Sequence, residues 1–273
     1  MAADKAHAVV IRAVPFGETS AVVTLYTREL GKLRALAKGA WRPKSAFDGA
    51  LDLLSTCQVL VLRRSSGGLD LLTEAFLERR FRVATSLAAV HGGMYVAELL
   101  DALTADADPQ PELFDAADAT LLRLSNHEAP DALVWPSVVR FELAALRAVG
   151  QAPALGRCAE CRAAVADTGR VAFGMLDGGV LCASCRRGRR VVVSVSAAAL
   201  AVLRGLRTGP LDKPIDPPVL GELRAVMNTY VAHILGRKSR LAPRLMPMNA
   251  PRSNLSPPQS DRSPPQSDPP RDA

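Results

Sequence analysis

Two cysteine pairs, Cys158-Ala-Glu-Cys161 and Cys182-Ala-Ser-Cys185, separated by twenty residues, constrain this chain more than any other feature. A Cys-x-x-Cys turns a tight knuckle that aims both sulfurs inward, and two facing knuckles complete the tetrahedron of thiolates that Zn2+ prefers. All four positions are then taken by protein, so the centre is closed. A catalytic zinc keeps a position for water and commonly has a histidine or carboxylate ligand, and no histidine lies between His127 and His233. The reading is one structural Zn2+ held by Cys158, Cys161, Cys182 and Cys185. A pair of disulfides, or knuckles that hold no metal, are the alternatives. A thioredoxin-like redox pair fits less well, because no βαβ pattern surrounds the cysteines. The fifth cysteine, Cys57, sits in an apolar run and reads as core. Met1 to His7 is polar, with no apolar segment of a secretory signal, so a reducing cytoplasm is expected. No membrane span is expected either: Val83 to Ala97, the longest uncharged stretch of the first hundred residues, is too short and holds Gly92 and Gly93.

The chain before the cysteines changes character near Arg79-Arg80-Phe81. Ahead of that point, short β-branched runs alternate with glycine turns. His7 to Val14, Thr19 to Tyr26, Leu33 to Ala37, Cys57 to Arg63 and Leu69 to Phe76 read as strands, with a hairpin turn at Ser65-Ser66-Gly67-Gly68. Five strands with glycine corners fit a small closed barrel of the OB type better than a sandwich, which needs about seven. Beyond it, apolar residues recur at helical spacing: Leu87, Val90, Met94 and Ala97; Leu113, Ala117, Leu121 and Leu124; Val138, Phe141, Ala145 and Val149. Gly150 stops the third helix. Val171 to Phe173 and Gly179 to Leu181 read as short strands between the knuckles, and Ser194 to Leu206 and Val219 to Leu235 as two closing helices. From Asn249 onward the segment SPPQSD occurs twice and proline is dense, a composition that cannot bury enough apolar surface to order itself. The fold class is therefore α+β and multidomain. Residues 1–80 form an OB-type barrel, 81–248 a helical domain with a cysteine module inserted at about 156–190, and 249–273 a disordered tail.

The formal net charge is +7, but its distribution carries more than its sum. Residues 1–80 hold 12 Lys/Arg against 8 Asp/Glu, whereas residues 81–150 hold 4 against 10. Basic parts flank an acidic middle, which suggests a polyanion on one face and a different contact on the other. Arg28, Lys32, Arg34, Lys38, Arg42 and Lys44 place six cations within seventeen residues, with Trp41 among them. On a barrel of this type such cations can track phosphates while an aromatic ring stacks under a base. If all six neutralise phosphates, log affinity falls with log salt at a slope of roughly −4. A solvated charged face is the competing account. A second cluster, Arg237, Lys238, Arg240 and Arg244, follows the last helix, where cations also complement the helix dipole. A third, Arg186-Arg187-Gly188-Arg189-Arg190, directly follows the last cysteine; its arginines either meet nucleic acid or offset thiolate charge.

With these residues in hand, the chain resembles the RecO recombination mediator family of bacteria from residue 8 to about 245. The resemblance lies in Gly17-Glu18-Thr19, Leu25-Tyr26-Thr27-Arg28-Glu29-Leu30-Gly31-Lys32, Lys38-Gly39-Ala40, Arg42-Pro43-Lys44-Ser45 and Glu74. It continues in Phe141-Glu142-Leu143 through Gly150, Pro153 and Leu155 into Cys158 and Cys161, and in Arg237-Lys238-Ser239-Arg240. The ordered set is specific where no single motif is. The resemblance implies an OB domain, a helical domain and, in members with both cysteine pairs, a zinc module. It further implies a protein that is not an enzyme: one that binds single- and double-stranded DNA and anneals complementary strands. Such a protein helps the RecA recombinase displace single-strand-binding protein, usually together with RecR. Family members contact the C-terminal peptide of single-strand-binding protein through their helical domain, and a nucleoid-associated cytoplasmic location follows. Trp41 stands where smaller residues are expected in relatives, so its stacking role rests on its chemistry alone.

Two other classes compete. A zinc-ribbon interaction scaffold would use its positive charge only for solubility and would show no salt-sensitive oligonucleotide binding. A zinc deaminase needs an H-x-E pattern, and the sequence has none; a phosphate-cradling Gly-rich Lys motif is also absent.

Overall fold

The computed structural model describes residues 3–47, 49–64, 68–125, 133–209 and 215–242. The hairpin tip around Ser65 to Gly67, Arg244, His127-Glu128 and the SPPQSD tail lie outside them. Five strands close a barrel in the order β1-β2-β3-β5-β4: β1 (Ala3–Phe16), β2 (Ser20–Thr27), β3 (Gly31–Ala37), β4 (Thr56–Leu62) and β5 (Asp70–Arg79). Every neighbouring pair is antiparallel except β3 with β5, the parallel contact that shuts the barrel. β1 runs beyond the expected His7 to Val14 because it is long enough to pair with β2 at one end and β4 at the other. Alternation does the sorting. Ala6, Ala8 and Val10 of β1, Val23 and Leu25 of β2, Leu33 and Ala35 of β3 and Cys57 of β4 fill the barrel interior. Side chains of opposite parity on the same strands point out. Val9, Ile11 and Tyr26 leave the barrel in this way and join the core of the helical part.

That helical part contains α1 (Leu87–Leu103), α2 (Pro111–Leu124) and α3 (Val134–Ala148). Ser86 starts α1 by accepting a hydrogen bond from the Ala89 N–H, and Pro111 occupies the first turn of α2, where its missing N–H costs nothing. A three-stranded sheet follows in the order β7-β6-β8, made of β6 (Arg170–Gly174), β7 (Gly179–Leu181) and β8 (Val192–Ser196). α4 (Ala197–Thr208) and α5 (Pro217–Ile234) complete the described chain. The helix expected from Ser194 begins later. Val192 to Ser196 pairs with β6, as its β-branched valines favour, and Ser196 then caps α4 by accepting from the Ala199 N–H. Among the described residues no helix is long and apolar enough to cross a membrane.

One buried ion pair ties the helices together. Glu142 of α3 and Arg224 of α5 are both wholly buried, and Arg224 Nη1 donates to both Glu142 carboxylate oxygens at 3.0 Å. The Tyr95 hydroxyl on α1 donates to Glu142 at 2.8 Å, Arg224 Nη2 donates to Asn228 at 2.6 Å, and the guanidinium lies 5.8 Å from the centre of the Trp135 ring. Removing one charge strands the other in a dry interior. Glu142→Ala should therefore lower unfolding free energy by about 3–5 kcal/mol, measured by urea titration followed by circular dichroism.

Candidate nucleic-acid interface and cysteine centre

The six cations of the amino-terminal basic stretch divide into two groups of three. Arg28 Nε donates to Asp115 of α2 at 2.8 Å, with Nη2 to the other oxygen at 3.1 Å. Lys32 is largely buried: its Nζ donates to the Asp101 carbonyl at 2.7 Å and lies 3.7–3.8 Å from the Asp101 and Asp106 carboxylates. Arg34 stays exposed but reaches Asp106 at 3.8 Å. These three belong to the junction between the barrel and α1 and α2, where carboxylates compete with any phosphate for them. Partners 69 and 87 residues away compete for the same charges. The closeness is enforced by backbone as well: a Cβ on Gly31 would stand 2.4 Å from the Asp108 carbonyl oxygen.

Lys38, Arg42 and Lys44 form the second group. They lie past the end of β3, all exposed and without a carboxylate partner among the described residues. Trp41 stands between them, 49% exposed, its backbone N–H donating to the Thr19 carbonyl at 2.9 Å. That bond fixes the loop against the β1–β2 hairpin, whose edge carries the exposed ring of Phe16. The loop is stiffened by turns in which Arg42 donates to Gly39 and Ser45 to Arg42, with Gly39 and Lys44 in the left-handed region at φ 69° and 58°. Phe16 went unnoticed in the sequence because nothing local separates an exposed aromatic at a hairpin end from a core one.

At the other end of the helical part, Glu98 of α1 organises the second basic cluster. Its carboxylate accepts from Arg237 Nη1 at 3.2 Å, from the Ser239 hydroxyl at 2.7 Å and from the Arg240 backbone N–H at 3.0 Å. Arg240 and Lys238 extend exposed side chains from this anchored loop, while Arg237 is half-committed to Glu98. A groove between α2 and α3, closed at one end by α4, was also not foreseen. Leu113, Ala116 and Phe141 line it together with Arg123, Arg140 and Arg147 and the carboxylates of Glu112 and Asp115, around a volume of ≈ 470 Å³. The spacing of seven between Arg140 and Arg147 was the available signal, since it repeats one face of a helix.

The four cysteines converge. Their sulfurs all lie within 4.8 Å of one another, and Cys161 and Cys182 stand 3.7 Å apart, close to the ~3.8 Å edge of a tetrahedron with 2.3 Å metal–sulfur bonds. The two knuckles share a backbone plan: the Arg162 N–H donates to the Cys158 carbonyl at 3.0 Å, and the Arg186 N–H to the Cys182 carbonyl at 3.1 Å. The Cys185 N–H donates to the Cys182 sulfur and draws that thiol down to about 6, whereas sharing hydrogen bonds with Cys161 and Cys182 pushes Cys185 up to about 12. Four sulfurs this close cannot all ionise by themselves. They form a donor set that can hold a metal ion. Cys57, as expected, is fully buried in β4.

A closed OB-type barrel continuous with a helical domain that carries a four-cysteine cluster defines the class: a multidomain α+β protein of the OB-barrel kind. A family model described as Recombination protein O N terminal matches residues 1–81, and one described as Recombination protein O C terminal matches residues 84–241. The chain is 36% identical over 266 residues to the DNA repair protein RecO of Rhodopirellula baltica, covering 87% of this chain and 97% of that one. It is 34% identical to the RecO of Myxococcus xanthus (85% and 92% covered) and 38% identical to that of an Anaeromyxobacter species (88% and 94%). The chain belongs to the RecO family of DNA repair proteins.

Burial pushes the Glu98 carboxyl up, but its Ser239, Arg240 and Arg237 donors outweigh that and hold it below the ordinary glutamate value. A depressed folded-state pKa contributes stability that is complete above the unfolded value and is lost as pH falls through the folded one. Amide exchange of Arg240 and Leu241, measured relative to intrinsic rates, should therefore lose protection only once pH drops below the usual carboxylate range.

Proposed function

We propose that this protein binds single- and double-stranded DNA, anneals complementary strands and helps load RecA, together with RecR, onto DNA covered by single-strand-binding protein. The observation that carries the reading is the loop after β3, where Lys38, Arg42 and Lys44 surround a half-exposed Trp41 and none of the three cations is spent on a carboxylate among the described residues. Cations without internal partners release counterions when they meet phosphates, and an indole offers a stacking face to any base. Annealing asks for two polyanions in one place, which a basic surface makes possible by screening their repulsion. Lys238 and Arg240 extend the cationic surface on the far loop. Arg28, Lys32 and Arg34 serve to position the barrel, and of these Arg34 keeps the most exposed charge.

The groove between α2 and α3 supports the second half of the reading. Arginines around an apolar floor suit a peptide that ends in a carboxylate, and the C-terminal peptide of single-strand-binding protein is such a ligand. For the cysteine cluster we propose one structural Zn2+ on Cys158, Cys161, Cys182 and Cys185. Bound there, the ion would neutralise two of four thiolate charges and join the knuckles. A cytoplasmic, nucleoid-associated location follows from this activity, as does a division into a barrel at 1–80, a helical domain at 81–248 and a tail at 249–273.

Replacing Lys38 and Arg42 together by Ala should weaken binding of a short fluorescent oligonucleotide on the order of tenfold in low salt. The same change should flatten the slope of log affinity against log salt by about 1.4. Lys32→Ala should leave that slope unaltered while lowering the melting temperature; an equal slope change in both variants would sink the assignment. Cys158→Ser should purify with markedly less zinc than the parent, measured by atomic emission.

A further inference from the structure

The cysteine module carries more positive charge than its own structure uses. Between Arg157 and Arg190 it holds seven arginines and three acidic residues. Arg189 takes two of the acids, Glu160 at 2.8 Å and Asp177 at 3.0 Å, and the third, Asp167, is bound by Arg204 of α4 at 2.6 Å. Arg170 pairs with Glu222 of α5. Arg157, Arg162, Arg186, Arg187 and Arg190 remain, all exposed and none in a salt bridge among the described residues. A metal centre with four thiolates leaves about two negative charges uncompensated. Five guanidinium groups without a carboxylate among the described residues, Arg157 donating only to the Arg162 carbonyl at 3.3 Å, exceed that by a wide margin, so offsetting the sulfurs does not account for them.

Their placement adds to the count. Arg162 and Arg186 occupy equivalent positions, one residue past the second cysteine of each knuckle, and their backbone N–H groups make the same bond to the first. Arg162 does so at φ 63°, a left-handed conformation in which glycine would be less strained. Arg187 and Arg190 project from the turn that follows, where the Arg189 N–H donates back to Arg186. Because the four sulfurs pull the two knuckles together, the arginines of both are gathered on one small module. The stronger packing contacts link the module to the barrel through helices. β8 packs on α4 and α5, α4 and α5 on α3, α3 on α1, and α1 on β1. A strand held by the loop after β3 is therefore served by a different surface.

We propose that the cysteine module is a second phosphate-binding site, which holds the backbone of a second nucleic-acid strand while the barrel loop holds the first. The proposal rests on the annealing reading and assigns its second strand. Exposed guanidinium groups carried on two neighbouring turns fit the repeated charges of a phosphodiester chain better than an acidic peptide.

The test uses full-length protein, a fluorescent single-stranded oligonucleotide of about thirty nucleotides and its complement. The variant R186S/R187S/R190S should bind the first oligonucleotide within about twofold of the parent but anneal the complement at least about tenfold more slowly, at unchanged metal content. The variant R186K/R187K/R190K, which keeps the charges, should anneal within about threefold of the parent. The barrel variant K38A/R42A should show the opposite pattern, weak first binding. Annealing at the parental rate in the serine variant would overturn the proposal, as would a lysine variant that falls as far as the serine one. Stronger arginine-dependent binding of polyglutamate than of an oligonucleotide of equal charge would overturn it as well. If instead K38A/R42A binds like the parent and the serine variant loses first binding, the module site stands and the barrel assignment falls.

Discussion

Carboxylates on α1, on α2 and in the turn between them meet the cations of the β2–β3 turn and of β3, and the rest of the molecule is arranged around that junction. Asp101, Asp106 and Asp115 come from the acidic middle of the chain; Arg28, Lys32 and Arg34 come from its basic start. Where water reaches such ion pairs it screens them and they add little to stability. The affinity of barrel for helices comes instead from Val9, Ile11, Tyr26 and Leu54 buried in the helical core, with the Tyr26 ring stacked on Phe114 at 6.4 Å. What the ion pairs decide is orientation, and with it which cations are left for a ligand. Three are engaged by carboxylates, and three, on the loop carrying Trp41, meet none among the described residues.

The same helices connect the barrel to the cysteine module. Glu142 and Arg224 place a full ion pair in a dry interior, where desolvation is repaid only when geometry is good and the remaining donors and acceptors are used. Tyr95 and Asn228 supply most of those partners, the buried Arg224 Nε having none among the described residues, and the pair is fixed by side chains from α1, α3 and α5 together. α1 contacts β1 and α5 contacts β8. The pair thus stands midway in a chain of packing contacts that runs from the barrel to the sheet of the cysteine module.

Much of this was legible in the residues. Period-two alternation in Leu33-Arg34-Ala35-Leu36-Ala37 already places the cations of β3 outside and its small apolar residues inside. Ser86 and Pro111 mark helix starts by their own chemistry, and the spacing of the four cysteines announces their convergence. Val192 to Ser196 was harder, because a short valine-rich run before a helix is resolved only by whether a neighbouring strand offers hydrogen bonds, and β6 does. The groove on α2 and α3 escaped because its arginines come from separate helices.

The sequence by itself determined the barrel, the helices and the cysteine centre, since each follows from rules that act over a few residues: alternation, helical spacing, caps and ligand spacing. It also placed six cations within one short stretch. Only the tertiary structure decided that Arg28 and Lys32 answer to Asp115 and Asp101 while Lys38, Arg42 and Lys44 meet no carboxylate among the described residues. Coulomb attraction depends on distance in space, and chain position does not record which carboxylates the fold will bring near.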